Sequence, residues 1–198
     1  MKPQLLLAAL AVVVTLSATR AQQSPSRTVT IHTIGQQVPI TDPSYAFANV
    51  YFLSNGGANA LAISTDDGIV LIDAKLAGWG KATLDTLNQV TNEPVVRIIH
   101  TNADEDHTGA NGEYADKVEV VMHEQAQSRF QKRIGKSAAS LTLNPFKDRA
   151  SFPIGKNQLH VHHFGKGHTD GDAIVVIPHG RLAFVGDLMN EKAVPVID

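Results

Sequence analysis

The stretch His100-Thr101-Asn102-Ala103-Asp104-Glu105-Asp106-His107 gathers two imidazoles and three carboxylates, and Gly167-His168-Thr169-Asp170-Gly171-Asp172 and Gly186-Asp187 add further donors downstream. These side chains ligate cations. A metal site needs ligands converging from separate parts of a chain, and a hydrolytic one keeps a position open for water. Asn102 and Asp104 are two apart and would point to one side of an extended loop, whereas the adjacent Asp106 and His107 would point to different sides, so one loop could serve two neighbouring ions. Read alone, Asp104, Glu105 and Asp106 could equally be a solvated acidic loop with His107 at a helix cap. The distant His168 and Asp187 tip the balance toward metal binding.

Such residues need elements that hold them. Val95 to Ile99 reads as a buried strand delivering the first cluster, and Leu182 to Val185 as a strand delivering Asp187. Strand ends are where α/β enzymes keep their chemistry. Upstream, Thr28 to Ile34, Phe47 to Leu53, Ala58 to Ser64 and Ile69 to Ile72 are strand candidates that suggest a sheet built by hairpins. Ser54-Asn55-Gly56-Gly57 suits the positive φ values of a tight hairpin and reads as a mobile flap over the site. Trp79 to Val90 reads as a helix with Ala82, Leu84, Leu87 and Val90 on its apolar face, stopped by Asn92-Glu93-Pro94. Val118 to Met122 is a further strand, Glu124 to Gln131 a helix, and Ser137 to Ser151 an irregular segment closed by Pro153. Gln158 to Phe164, Asp172 to Ile177 and Arg181 to Val185 complete the strands, with Pro178-His179-Gly180 turning between the last two. A strand-rich opening, an αβ middle and a second strand-rich group predict two packed sheets with helices outside, an α/β (α+β) sandwich.

In order and spacing the motifs resemble those of the metallo-β-lactamase superfamily, αββα-fold metal-dependent hydrolases. Thr101, Asp106, His107, Thr108, Gly109 and Asn111 stand in register with its first signature, T-H-x-H-x-D-H-x-G-G-N. Gly167-His168-Thr169 and Gly171-Asp172 match the second, and Gly186-Asp187 the third, so the resemblance spans Tyr45 to Asp187. It implies metal ligands at Asn102, Asp104, Asp106, His107, His168 and Asp187, the last bridging two ions, with Thr169 and Asp172 fixing His168. It also implies a catalytic role for Asp106, which would orient or deprotonate water, and matches Asp73 to the family's structural carboxylate. The implied reaction is attack by metal-bound hydroxide on an acyl (lactam, lactone or thioester) or phosphoryl centre of a small-molecule substrate.

The departures concern the first metal position. Asn102 and Asp104 stand where the family has two histidines, and Ala110 replaces a glycine. The cofactor implied is zinc, one or two ions, but oxygen donors in place of imidazoles shift preference toward Mn, Mg or Fe. A degenerate member kept as a ligand-binding or interaction protein is the alternative. The family's final histidine would fall beyond Asp198, so the C-terminal half reads as incomplete. Among the other histidines, His100 is either a ligand by register shift or a buried neighbour of the site, and His123, His160, His162 and His163 are packing or surface residues. Trp79 suits either a substrate rim or a helix anchor.

Composition sets the frame. With 198 residues, 43% apolar and 18% charged, the chain suits one globular domain. Lys2, the apolar run Leu5 to Leu16 and Thr19-Arg20-Ala21 form a signal peptide over residues 1–21, followed by a flexible leader at 22–27 and the domain at 28–198. The apolar run falls short of the ~20 residues a membrane span needs, so no stable anchor is expected after cleavage, and the location is periplasmic or secreted. Cleavage removes two cations, Lys2 and Arg20, from a formal charge of -2 and leaves about -4. No basic run supports nucleic-acid binding. The absence of cysteine excludes thiolate ligands and disulfides.

Overall fold

The computed structural model describes residues 27–33, 49–114, 117–134 and 141–189. The expected signal peptide, almost all of the leader, and the strand residues Ile34, Phe47 and Ala48 lie outside the described residues. Among the described residues no helix is long and apolar enough to cross a membrane.

The strands form two sheets. The first has seven strands in sequence order: β1 (Thr30–Thr33), β2 (Val50–Ser54), β3 (Ala60–Thr65), β4 (Gly68–Ile72), β5 (Val95–Ile99), β6 (Glu119–His123) and β7 (Thr142–Phe146). β1 to β4 pair antiparallel, β2 to β4 through hairpins as expected, and β4 to β7 pair parallel. The second sheet is antiparallel, β8 (Arg149–Ile154), β9 (Asn157–His162), β10 (Ile174–Ile177) and β11 (Leu182–Phe184), in the order β11-β10-β9-β8.

Burial follows the pleat. Gly68 to Ile72 is buried throughout because β4 is covered on both faces, and it reads as a continuous apolar run. β9 alternates, with Leu159 and Val161 buried and His160 and His162 partly exposed, so one face meets the core and the other water. Between the sheets Leu61, Ile63, Val70, Ile72, Ile99 and Val121 meet Leu159, Val161, Val175 and Ile177. α1 (Gly80–Leu87) and α3 (Glu124–Ile134) pack on the outer face of the larger sheet, through Leu87 against Leu71 and Ile98, and through Ala126 and Phe130 against Val120 and Met122. The expected α/β sandwich is therefore the observed one.

Two local expectations change. The segment 137–151 is not irregular where it is described. Thr142–Phe146 extends the larger sheet and Arg149–Ile154 opens the smaller one, with Lys147 and Asp148 carrying the chain across. Both are edge strands with exposed residues, and each carries a proline, Pro145 and Pro153, which an edge accommodates. Their weak apolar alternation hid them. α1 ends at Leu87, and Val90 is exposed rather than on the apolar face. Thr83 and Thr86 take the buried positions instead, returning their hydroxyls to the carbonyls of Trp79 and Ala82 at 2.9 and 2.8 Å.

Candidate metal centre

The site residues sit at the C-terminal ends of β4 and β5 and in loops of the smaller sheet. Asp73 follows β4 with φ of 63°, and Thr101 follows β5. Asp104 stands in extended conformation at the N-cap of the short helix α2 (Glu105–Thr108), which carries Asp106 and His107. His168 lies between β9 and β10, and Asp187 in a single helical turn after β11.

These elements bring the donors together. His168 Nε2 lies 3.0 Å from Asp104 Oδ2 and 3.5 Å from Asp187 Oδ2. His107 Nε2 lies 2.8 Å from the same Asp187 oxygen. Two donors bound to one divalent cation at ~2.1 Å stand about 3.0–3.4 Å apart, and the His168–Asp104 separation falls in that range. Asp104, His168 and Asp187 form a cluster of possible ligand atoms within 4.8 Å of one another. Asp104 and Asp187 remain partly open to solvent, with side chains 44% and 31% exposed. That leaves room for water and substrate.

Not every expected ligand points inward. Asp106 stands at the margin, its Oδ1 3.9 Å from His107 Nε2. Asn102 is buried, and its Oδ1 accepts the Asp104 backbone N–H at 2.9 Å while its Nδ2 faces Asp187 Oδ2 at 3.2 Å. The amide therefore offers the cluster a donor rather than an oxygen. His100 does not reach the cluster. It is fully buried, with Nε2 2.8 Å from Asn111 Oδ1 and Nδ1 3.5 Å from Asp73 Oδ1.

Beneath the cluster lies a charged support. Asp73 accepts the Thr101 backbone N–H at 2.9 Å and its hydroxyl at 2.7 Å, and lies 2.8 Å from His107 Nδ1. Burial alone would raise the Asp73 carboxyl, but His107 and His100 hold it well below the usual carboxylate range. Burial likewise opposes charge on His107, yet Asp73 and Asp187 push that imidazole up to about 11. The hydrogen bond from His107 lowers Asp187, against its partial burial. A histidine flanked by a carboxylate on one nitrogen and an open cluster on the other has the orientation that metal-ligating histidines take from their outer partners.

The loop of His168 is fixed indirectly. Asp172 accepts the Thr169 backbone N–H at 2.8 Å and its hydroxyl at 2.7 Å, so the pair shapes the turn that carries His168. His163 Nδ1 lies 2.7 Å from the Asp172 carbonyl oxygen and its ring stacks on His123 at 3.8 Å. These two histidines pack, as expected.

Sequence reasoning missed three supports. Lys75 is fully buried beside Asp73 and Asp106, and burial pushes its ammonium down to about 8. Arg133 of α3 donates to the Ala103 carbonyl at 2.5 Å and to the Thr108 hydroxyl, clamping α2 from outside. Glu113 accepts the backbone N–H groups of Gly78 and Gly80 at the start of α1. Each charge comes from an element far from its partner in sequence, and local pattern carries no sign of it. A cavity of about 220 Å³, lined by residues including Ile63, Ile154 and Ile177, shares no residue with the cluster.

Comparison with known proteins agrees with this arrangement. The family described as "Metallo-beta-lactamase superfamily" matches residues 53–198. The "Metallo-beta-lactamase type 2" of Elizabethkingia meningoseptica is 25% identical over 173 residues, covering 81% of this chain and 67% of that protein. "Metallo-beta-lactamase IND-1" of Chryseobacterium indologenes is 26% identical over 140 residues, covering 69% and 56%. The chain thus spans between about half and two thirds of these relatives' lengths. Among solved structures, a metallo-beta-lactamase from Pontibacter korlensis superposes with a TM-score of 0.55 at 23% identity, covering 66% of this chain and 64% of that one. The sec-alkylsulfatase Pisa1 from Pseudomonas sp. gives 0.55 at 15% identity, covering 66% and 28%. At these identities the likeness is one of fold.

Proposed function

The chain belongs to the metallo-β-lactamase superfamily, and from that premise we propose that it is an exported metal-dependent hydrolase acting on a small molecule. The observation that carries this reading is the convergence of Asp104, His168 and Asp187 from three separate segments on one partly open point, with His107 against the Asp187 carboxylate. Asp104, His168 and Asp187 would hold the ion, and His107 stands beside them against Asp187. Once bound, the ion supplies Lewis acidity and lowers the pKa of water toward about 7.

The chain's own residues do the rest. Asp73 keeps the His107 ring turned so that Nε2 faces the cluster. Asn102 holds the Asp187 carboxylate through its amide N–H. Asp106, at the open margin, orients the attacking water and takes its proton, and the reacting centre is an acyl (lactam, lactone or thioester) or phosphoryl group. With two carboxylates and one imidazole, the donor set accepts zinc but is harder than an all-imidazole site, which favours Mn or Fe. The N-terminal pattern of Lys2, an apolar run and Ala21 supports export to the periplasm or beyond.

The test is metal content and turnover of purified full-length protein. At least half an equivalent of a first-row metal, with hydrolysis of one class in a lactam, lactone, thioester and phosphodiester panel, is expected. Less than a tenth of an equivalent and no turnover after reconstitution would sink the reading.

A second reading, a non-catalytic binding protein, is favoured by one observation: Asn102 spends its oxygen on the Asp104 backbone N–H, so the first metal position lacks that donor. Replacing Asn102 and Asp104 together by histidine separates the two. A large gain in metal uptake and activity from an inert parent supports the second reading, and an active parent that gains nothing supports the first.

A further inference from the structure

Lys75 is a charged side chain with no exposure at all, and its partners are unusual. Its Nζ donates to the carbonyl oxygens of Leu53 at 2.8 Å and Ala58 at 2.7 Å. Those two carbonyls are the ends of the turn 54–57. Within the turn Asn55, Gly56 and Gly57 adopt φ of 69°, 83° and 96°, and the Gly56 carbonyl accepts the Leu76 N–H at 3.0 Å.

The turn has a neighbour in the candidate centre. A Cβ placed on Gly57 would lie 2.9 Å from Asp106 Cβ and 3.2 Å from the Asp106 carbonyl oxygen. One on Gly56 would lie 2.6 Å from the Trp79 ring. Glycine is required at both positions for close approach as well as for conformation. On its other side the strip 74–76 is bonded to the loop of α2, Ala74 N–H to the His107 carbonyl at 2.5 Å and Ala110 N–H to the Lys75 carbonyl at 3.1 Å. Lys75 thus reaches from the strip under α2 to the turn above it.

We propose that Lys75 is a positioning residue: by gathering the Leu53 and Ala58 carbonyls it holds the Gly56-Gly57 backbone against Asp106 and fixes that carboxylate's rotamer beside His107. The turn is then a tethered wall of the site, in place of the mobile flap that its glycines suggest. An ammonium suits this task because its N–H donors can serve two convergent carbonyls at once, which no apolar side chain of similar length can do. The inference rests on the reading of Asp106 as the water-orienting carboxylate.

The test compares full-length wild type with Lys75→Met, Gly57→Ala, Asp106→Asn and the double variant Lys75→Met/Asp106→Asn. The first readout is the Asp106 χ1 rotamer in metal-free protein, from three-bond couplings to its Cγ. A single rotamer in wild type and averaging in Lys75→Met is expected, and a single unchanged rotamer in Lys75→Met overturns the proposal. The second readout is Mn²⁺ affinity by calorimetry. Loss of an outer partner typically weakens a metal site 10- to 100-fold, so about a tenfold loss is expected for Lys75→Met. The double variant should then bind no more weakly than Asp106→Asn alone. Additive losses would overturn the positioning role, because a general loosening of the fold has no reason to act through Asp106.

Gly57→Ala keeps the ammonium but intrudes on Asp106. It should disturb the same rotamer from the side of the turn, although Leu76 Cγ lies equally close at 2.9 Å; if Lys75→Met does not fold, Lys75→Gln, whose shorter side chain cannot bridge both carbonyls, supplies the same decision. A wild type that takes up no Mn²⁺ would count against the hydrolase reading, while the rotamer comparison would still decide the role of Lys75.

Discussion

Asp73→Asn would test the charged support beneath the cluster. The carboxylate is fully buried and faces donors at Thr101 N, Thr101 Oγ1 and His107 Nδ1, at 2.9, 2.7 and 2.8 Å. An amide of the same shape keeps one oxygen and turns the other acceptor into a donor. It would then oppose either the Thr101 hydroxyl and His107, which share Oδ2, or the Thr101 N–H. The buried imidazolium of His107 also loses its counter-charge. Removing one partner of a buried pair costs about 3–5 kcal/mol. For a chain of this size each kcal/mol is worth roughly 2–4 °C, so the midpoint should fall by about 6–20 °C. The measurement is thermal unfolding followed by near-UV circular dichroism at pH 7 with chelator, so that ion binding adds nothing to either protein.

The pH dependence carries a second check. Asp73 has its pKa lowered from 3.8, so its contribution is present above that value and is lost as pH falls through the folded pKa. His107 has its pKa raised from 6.5 to about 11, so its contribution is full below 6.5 and fades as pH rises toward about 11. The gap between wild type and variant should be widest between these limits and narrow on both sides. A midpoint change under about 3 °C, or a gap that does not vary with pH, would refute the idea that this pair anchors the site.

Two further substitutions probe what holds the elements in place. Glu113→Ala removes the carboxylate that caps Gly78 and Gly80 at the start of α1, and should cost about 1 kcal/mol, read as a lower urea midpoint with unchanged slope. Leu71→Ala opens a hole at a fully buried position of β4 between the sheet and α1, and should cost about 2–5 kcal/mol in the same assay. A loss under about 1 kcal/mol would mean that the helix collapses into the space.

How much of this was legible in the sequence depends on the range of the interaction. Ile69 to Ile72 is a continuous apolar run because β4 is buried on both faces, and Val95 to Ile99 is apolar but for Arg97, so their place in the fold could be read directly. Asn55-Gly56-Gly57 announced its positive φ values through residue type. β7 and β8 could not be read, since an edge strand with one wet face and a proline has the composition of a loop. In the site, the order of motifs marked Asp104, His107, His168 and Asp187, and the fold brings them together. Lys75, Arg133 and Glu113 were silent because their partners, mostly backbone groups, lie 17 to 35 residues away in sequence. Backbone acceptors and donors leave no mark on composition.

Asn102 shows how local hydrogen bonding sets what a side chain at a motif position offers the centre. Its oxygen is committed to the Asp104 N–H two residues on, a turn that asparagine favours, and this turns its amide nitrogen toward Asp187. The consequence is electrostatic. Asp104 and Asp187 each approach the single imidazole of His168, at 3.0 and 3.5 Å, while the charge on His107 is divided between Asp187 and the buried Asp73. The centre therefore gathers more carboxylates, Asp104, Asp106 and Asp187, than imidazoles. An added divalent cation would relieve that excess, and its oxygen-rich surroundings would leave it with less net positive charge than the same ion held by neutral histidines. On the proposed reading, the exchange of two imidazoles for Asn102 and Asp104 would change how strongly the centre can polarise a substrate, and which metals suit it.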